Sequence, residues 1–157
     1  MTAQLPPAAP VITCVPVAVK SGSSKVYSRK TRLAPLKITT PDNGNYLIKL
    51  VKKDTKRVVM SAYIAGGDTR EFKVPLGLYS IYYAEGKIWC GEKDAFGRGN
   101  THLERLVSSF AFTRDAEGYN GVEIELIPQI KGNLDSEKVS DTEFSELVPD
   151  EPETARK

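Results

Sequence analysis

The chain has 157 residues, 40% of them hydrophobic and 27% charged, with a mean hydropathy of -0.32; this is the profile of one ordinary globular domain, and it excludes a helical membrane-spanning protein, a collagen and a wholly disordered chain. Cys14 and Cys90 form no C-x-x-C pair and His102 is the sole histidine, so a disulfide-dense scaffold, a Cys-rich zinc module and a His-based metal site are excluded, and no cofactor is expected. The net charge of +2 conceals a dipole along the chain, with +9 on residues 1–57, -2 on 58–133 and -5 on 134–157.

Residues 1–35 read as an extended arm. Pro6, Pro7, Pro10 and Pro16 disfavour a helix, and Ser21-Gly22-Ser23-Ser24 follows. The apolar run from Leu5 to Val19 has no basic residue before it and is broken by those prolines, so it does not fit a cleavable secretion signal. Val11-Ile12-Thr13-Cys14 resembles a bacterial lipobox, but Thr13 stands where a small residue belongs, and a cytoplasmic location is expected over lipidation of Cys14. The β-branched stretch Val11 to Val19 suits an edge strand or a strap laid against the core. The arm then becomes basic, with Lys25, Arg29, Lys30 and Arg32 around Tyr27.

Residues 36–132 hold 11 of the 12 glycines, and 11 of the 13 aromatics lie between Tyr46 and Tyr119, which marks this segment as the folded core. Its apolar period is two: Tyr46, Ile48 and Leu50 alternate with Leu47, Lys49 and Val51, and Val58, Met60, Ala62 and Ile64 alternate with Val59, Ser61 and Tyr63. Further alternating runs fall at Phe72–Val74, Tyr79–Tyr83, Ile88–Cys90, Phe110–Phe112 and Val122–Leu126. The spacing predicts half-buried strands separated by turns at Pro41-Asp42-Asn43-Gly44, Gly66-Gly67-Asp68, Pro75-Leu76-Gly77, Glu85-Gly86 and Asn120-Gly121. The expected fold is an all-β antiparallel sandwich of about seven strands, because the connections are too short for βαβ crossovers. In the acidic tail, 133–157, Ser140-Asp141-Thr142-Glu143 matches a capping box that predicts one short helix near 141–147, with disorder after Pro149 and Pro152.

The run Phe72-Lys73-Val74-Pro75-Leu76-Gly77-Leu78-Tyr79-Ser80-Ile81-Tyr82-Tyr83 resembles the V-P-x-G-x-Y hairpin of transthyretin-like and carboxypeptidase-regulatory-like β-sandwich modules. The longer pattern, from Pro35-Leu36-Lys37-Ile38 through Trp89-Cys90-Gly91-Glu92 to Phe96-Gly97, is similar to small bacterial proteins. The resemblance implies the fold and binding or accessory roles, and it carries no catalytic residues.

Three functional readings follow. The first is a non-enzymatic protein–protein interaction or assembly module of a bacterial or phage system, whose arm and tail contact a protein partner or a second subunit. The second is a nucleic-acid-associated accessory protein, with Lys25, Arg29, Lys30 and Arg32 on phosphates and Tyr27 stacking on a base, the patch extended by Lys52, Lys53, Lys56 and Arg57. Against it, the acidic tail competes for the same cations. The third is a small-ligand site in the 89–102 loop, where Trp89 and Phe96 offer aromatic faces, Arg98 an anion donor and His102 a titratable group. A Cys90–His102 nucleophile with Asp94 or Glu92 as orienter has the right residue types, but the register of Cys90 with Ile88 predicts a buried, inert thiol, and no enzymatic activity is expected. Glu123 and Glu125 read as the solvent face of a strand.

Overall fold

A computed structural model describes residues 14–97, 99–126 and 136–150. The lipobox positions before Cys14, Arg98, the end of the core after 126 and the tail beyond 150 lie outside the described residues. The elements are β1 (Ser24–Val26), β2 (Ala34–Thr39), β3 (Asn45–Lys52), β4 (Arg57–Ile64), β5 (Thr69–Val74), β6 (Gly77–Gly86), β7 (His102–Leu106), β8 (Phe110–Asp115), β9 (Gly118–Asn120), β10 (Val122–Glu125), β11 (Ser136–Lys138), α1 (Asp141–Ser145) and β12 (Val148–Pro149). Seven strands, β2 to β8, have five residues or more, and they build the all-β sandwich that the alternation predicts. The helix also starts where the capping box places it, with the Ser140 hydroxyl accepting the Glu143 backbone N–H at 3.0 Å.

The large sheet runs β1-β4-β3-β6-β7-β11, and the small one runs β10-β2-β5. Pairings are antiparallel except β10 on β2 and β12 on β4, which are parallel. The main core lies between the sheets: Ile48, Leu50, Met60, Ile64, Tyr79, Ile81 and Phe112 from the large sheet meet Leu36, Ile38, Val74 and Ile124 from the small one. A register shift between Leu50 and Val51 lets Val59 and Met60 both enter that core. The β5–β6 turn works as its sequence implies. Tyr79 returns to the inner face, its hydroxyl donates to the Pro75 carbonyl at 2.9 Å, and a Cβ on Gly77 would stand 3.1 Å from that hydroxyl oxygen.

The expectation of half-buried strands fails for the large sheet. Every residue of β4 after Arg57 is buried, and β3 and β6 are nearly so. The outward side chains Leu47, Val51, Val58, Tyr63, Tyr82 and Ala84 form a second core under a layer that is not a sheet. Three segments make this layer: Val19 and Tyr27 of the N-terminal strap, Trp89, Ala95 and Phe96 of the 87–101 connection, and Val139, Phe144 and Leu147 of the C-terminal segment. Charge boundaries near 36 and 132 are therefore not packing boundaries. The strap pairs as β1 along β4, and β12 pairs along the same edge of β4 at Arg57 and Val58.

Two local expectations are also corrected. Glu85-Gly86 is not a turn but the end of β6, paired with Tyr46 and Asn45. Gly86 has to be glycine there because a Cβ would come within 2.3 Å of the Phe96 Cβ. Ile88 and Cys90 are not on a strand, since 87–97 is turn and loop.

Burial, with help from neighbouring carboxylates, pushes the phenols of Tyr46 and Tyr79 up to about 12 and raises that of Tyr83 further. The folded state holds these protons where the unfolded chain, with phenols near ~10, releases them. Stability is accordingly full below the unfolded value and falls as pH rises from about 10 towards 12. Circular dichroism against pH should show alkaline unfolding together with phenolate absorbance; independent titration of the tyrosines in a folded chain would contradict the assignment. Gly86→Ala should cost several kcal/mol by overpacking, of order ~3, read by urea denaturation.

Candidate functional site

The covering layer is fastened at one point by a disulfide between Cys14 and Cys90, with Cα atoms 5.7 Å apart. The cystine overturns the free, inert thiol expected at Cys90, and with it the nucleophile. It also occupies the sulfur that a lipidated Cys14 would need. Beside it, the Val17 N–H donates to the Trp89 carbonyl at 2.9 Å, so strap and loop are joined by backbone as well as by sulfur.

The loop is a stack of tight turns. Cys90 N–H donates to the Ala95 carbonyl at 2.7 Å, Ala95 N–H to Gly91 at 2.7 Å and Gly97 N–H to Asp94 at 2.8 Å. Thr101 closes it, its hydroxyl donating to the Gly97 carbonyl at 2.8 Å and accepting from the Phe96 N–H at 3.2 Å. These bonds drive Phe96 into the second core at 1% exposure, against Trp89 at a ring separation of 5.3 Å, and Trp89 in turn meets Tyr63 at 5.2 Å. Of the loop residues singled out in the sequence, Trp89 lines a cavity, Phe96 is a buried plug, and His102 stands exposed at the start of β7 with Nε2 2.5 Å from Glu104. Their side chains serve different places, not one pocket.

What does converge is a polar cluster that periodicity hides. Lys49 and Ser61 are direct cross-strand partners on the covered face of β3 and β4. Ser61 donates its hydroxyl to the Glu92 carboxylate, and Glu92 also pairs with Lys25 of the strap at 3.3 Å. Burial lowers the Lys49 pKa, Glu92 opposes that, and the Lys49 ammonium sits 4.4 Å from the Phe144 ring centroid. Loop and C-terminal helix thus each send one group to these two sheet residues, and the strap's Lys25 joins them through Glu92. A cavity of about 350 Å³ lined by Val19, Tyr63 and Trp89 lies on one side of Glu92, and one of about 210 Å³ lined by Tyr27, Lys49 and Leu147 lies on the other. Chemically this is a bridged carboxylate with its charges met internally. Two polar residues opposite each other on otherwise apolar strands are the signal that marks the cluster in the sequence.

Near β11, burial raises the Glu104 carboxyl, but hydrogen bonds from Ser136, His102 and Tyr83 outweigh it and hold the group below its usual range. A similar anchor fixes the start of the strap. Asp68 accepts from the Ser21 hydroxyl at 2.6 Å and from Arg70 Nε at 2.8 Å, and both bonds lower its carboxyl.

The basic residues of the arm divide. Tyr27 is half-buried, packed against the second core beside a cavity, and Lys25 is engaged with Glu92. Arg29, Lys30 and Arg32 are exposed, and Lys30 comes together with Lys52, Lys53 and Asp54 around a cleft of about 260 Å³ at the β3–β4 turn. The tail reaches this region too, through Asp150 on Lys52 at 2.9 Å. Among the described residues no cluster of His, Cys, Asp and Glu could hold a metal ion, and no helix is long and apolar enough to cross a membrane.

No protein-family model, characterised protein or solved structure matches the chain.

A cross-link closing a loop of 76 residues stabilises by roughly 4 kcal/mol through the unfolded chain. The paired change Cys14→Ser and Cys90→Ser should therefore lower unfolding free energy by about that amount and shift Trp89 emission to the red as the strap lifts. Unchanged stability and emission would show that the covering layer holds without the bond.

Proposed function

We propose that the chain is a non-enzymatic docking module, a transthyretin-like sandwich that serves as an accessory to a larger bacterial assembly in an oxidising compartment. The disulfide supports the compartment, because such bonds persist where thiols are not kept reduced; this replaces the cytoplasmic expectation. The polar clusters described above are consumed in holding segments of the chain together, which suits a scaffold.

The observation that carries the docking reading is the unequal protection of strand edges. In the large sheet, β1 and β12 cover β4, and β11 covers β7. In the small sheet β5 and β10 each pair only with β2, so each has an open edge among the described residues, and that of β5 is the longer. The exposed β5 side chains Thr69, Arg70, Glu71 and Lys73 alternate in charge and hydrogen-bonding character. Six residues of open edge supply enough backbone donors and acceptors for a partner strand to add, with the side chains setting its register.

Photo-crosslinkers placed at Glu71 and Lys73, and at Arg114 on β8 as a control, test this in the native cell. A single discrete adduct, to another protein or to a second copy of the chain, is expected from β5 and not from β8. Equal, diffuse labelling from all three positions would remove the edge as the docking element.

A further inference from the structure

One end of the sandwich combines charge with apolar exposure in a way that neither the fold nor the docking reading uses. The β3–β4 turn projects Lys53 and Lys56, and Lys56 takes a positive φ of 62° to close the turn. The β5–β6 turn lies beside it, since Lys53 N–H donates to the Leu78 carbonyl at 3.0 Å. The arm brings Ser28 and Lys30 to the same cleft. Residues 20 or more apart in sequence thus meet as a single basic end, where, among the described residues, Asp54 lines the cleft and Asp150 binds Lys52.

Leu78 is 50% exposed on the wall of this cleft, and Val148, 45% exposed, is paired in register with Arg57 at the same end. Exposed apolar side chains set among lysines are the composition of a surface that enters a lipid headgroup region. A groove for single-stranded nucleic acid joins its cations to aromatic platforms on which bases stack, whereas the one aromatic residue lining this cleft, Tyr79, is buried.

We propose that this end of the sandwich docks on an anionic lipid bilayer. Lys30, Lys53, Lys56 and Arg57 face the headgroups, and Leu78 and Val148 enter between them. Asp150 holds Lys52 back from the lipid and keeps the attraction moderate. The proposal does not depend on the β5 edge, and its failure would leave that reading untouched.

The oxidised full chain should co-sediment with vesicles containing about 30% phosphatidylglycerol and not with phosphatidylcholine alone, and about 0.5 M salt should release it. The paired change Lys53→Glu and Lys56→Glu should weaken binding roughly tenfold or more, and Leu78→Ser about fivefold. The charge-matched control Lys37→Glu and Lys138→Glu, on β2 and β11 away from this end, should change nothing. Equal binding to neutral vesicles, equal loss in the control, or no vesicle binding overturns the proposal. So does salt-sensitive binding to a single-stranded oligonucleotide that is unchanged by Leu78→Ser while vesicles fail, because the cleft would then be a nucleic-acid surface.

Discussion

The constraint on which the rest of the structure depends is that the large sheet is apolar on both faces. One face is covered by the small sheet. The other, formed by Leu47, Val51, Val58, Tyr63, Tyr82 and Ala84, is met by no sheet or long helix among the described residues, and an uncovered patch of that size would drive association. The chain solves this with three irregular segments, each contributing two or three apolar side chains. The ladders such segments form are short, so point fastenings supplement them: the Cys14–Cys90 bond, Ser21 on Asp68, Lys25 on Glu92 and Lys52 on Asp150.

Much of the fold was legible because pleated strands impose a period of two whatever lies above them. The runs at 45–64 and 77–86 declare strands, and the turns at 41–44 and 66–68 declare reversals. What the period misreports is burial. Lys49 and Ser61 look like solvent-facing positions, because alternation counts polarity and cannot register a covering layer contributed from 30 or more residues away. Gly86 misleads for the same reason. Its missing side chain signals a turn locally, whereas it is Phe96 packing across the strand that demands the space. Cys90 is the sharpest case. No local pattern distinguishes a buried thiol from half of a cystine whose partner lies in a proline-rich segment.

The candidate site shows the same division. Of the residues chosen for chemical type in one loop, Trp89 and Phe96 pack on each other in the second core, while His102 stands at an exposed strand end. The grouping that folding does create, Lys49, Ser61, Glu92 and Lys25, comes from four separate stretches of chain. The basic end of the sandwich is intermediate. Its cations are visible as composition in the arm and at the next hairpin, but only the antiparallel return of β4 beside the strap makes them neighbours.

The shared edge of β4 has a consequence of its own. Strands from opposite ends of the chain, β1 and β12, lie end to end along one neighbour and protect it jointly. Neither is long enough to hold by its ladder alone. Clipping either one bares part of a strand that is buried on both faces and already shaped to accept a third. A trimmed molecule therefore has a vacancy that the matching segment of an intact copy fits, so a trimmed chain can only receive a strand and an intact one can only donate it.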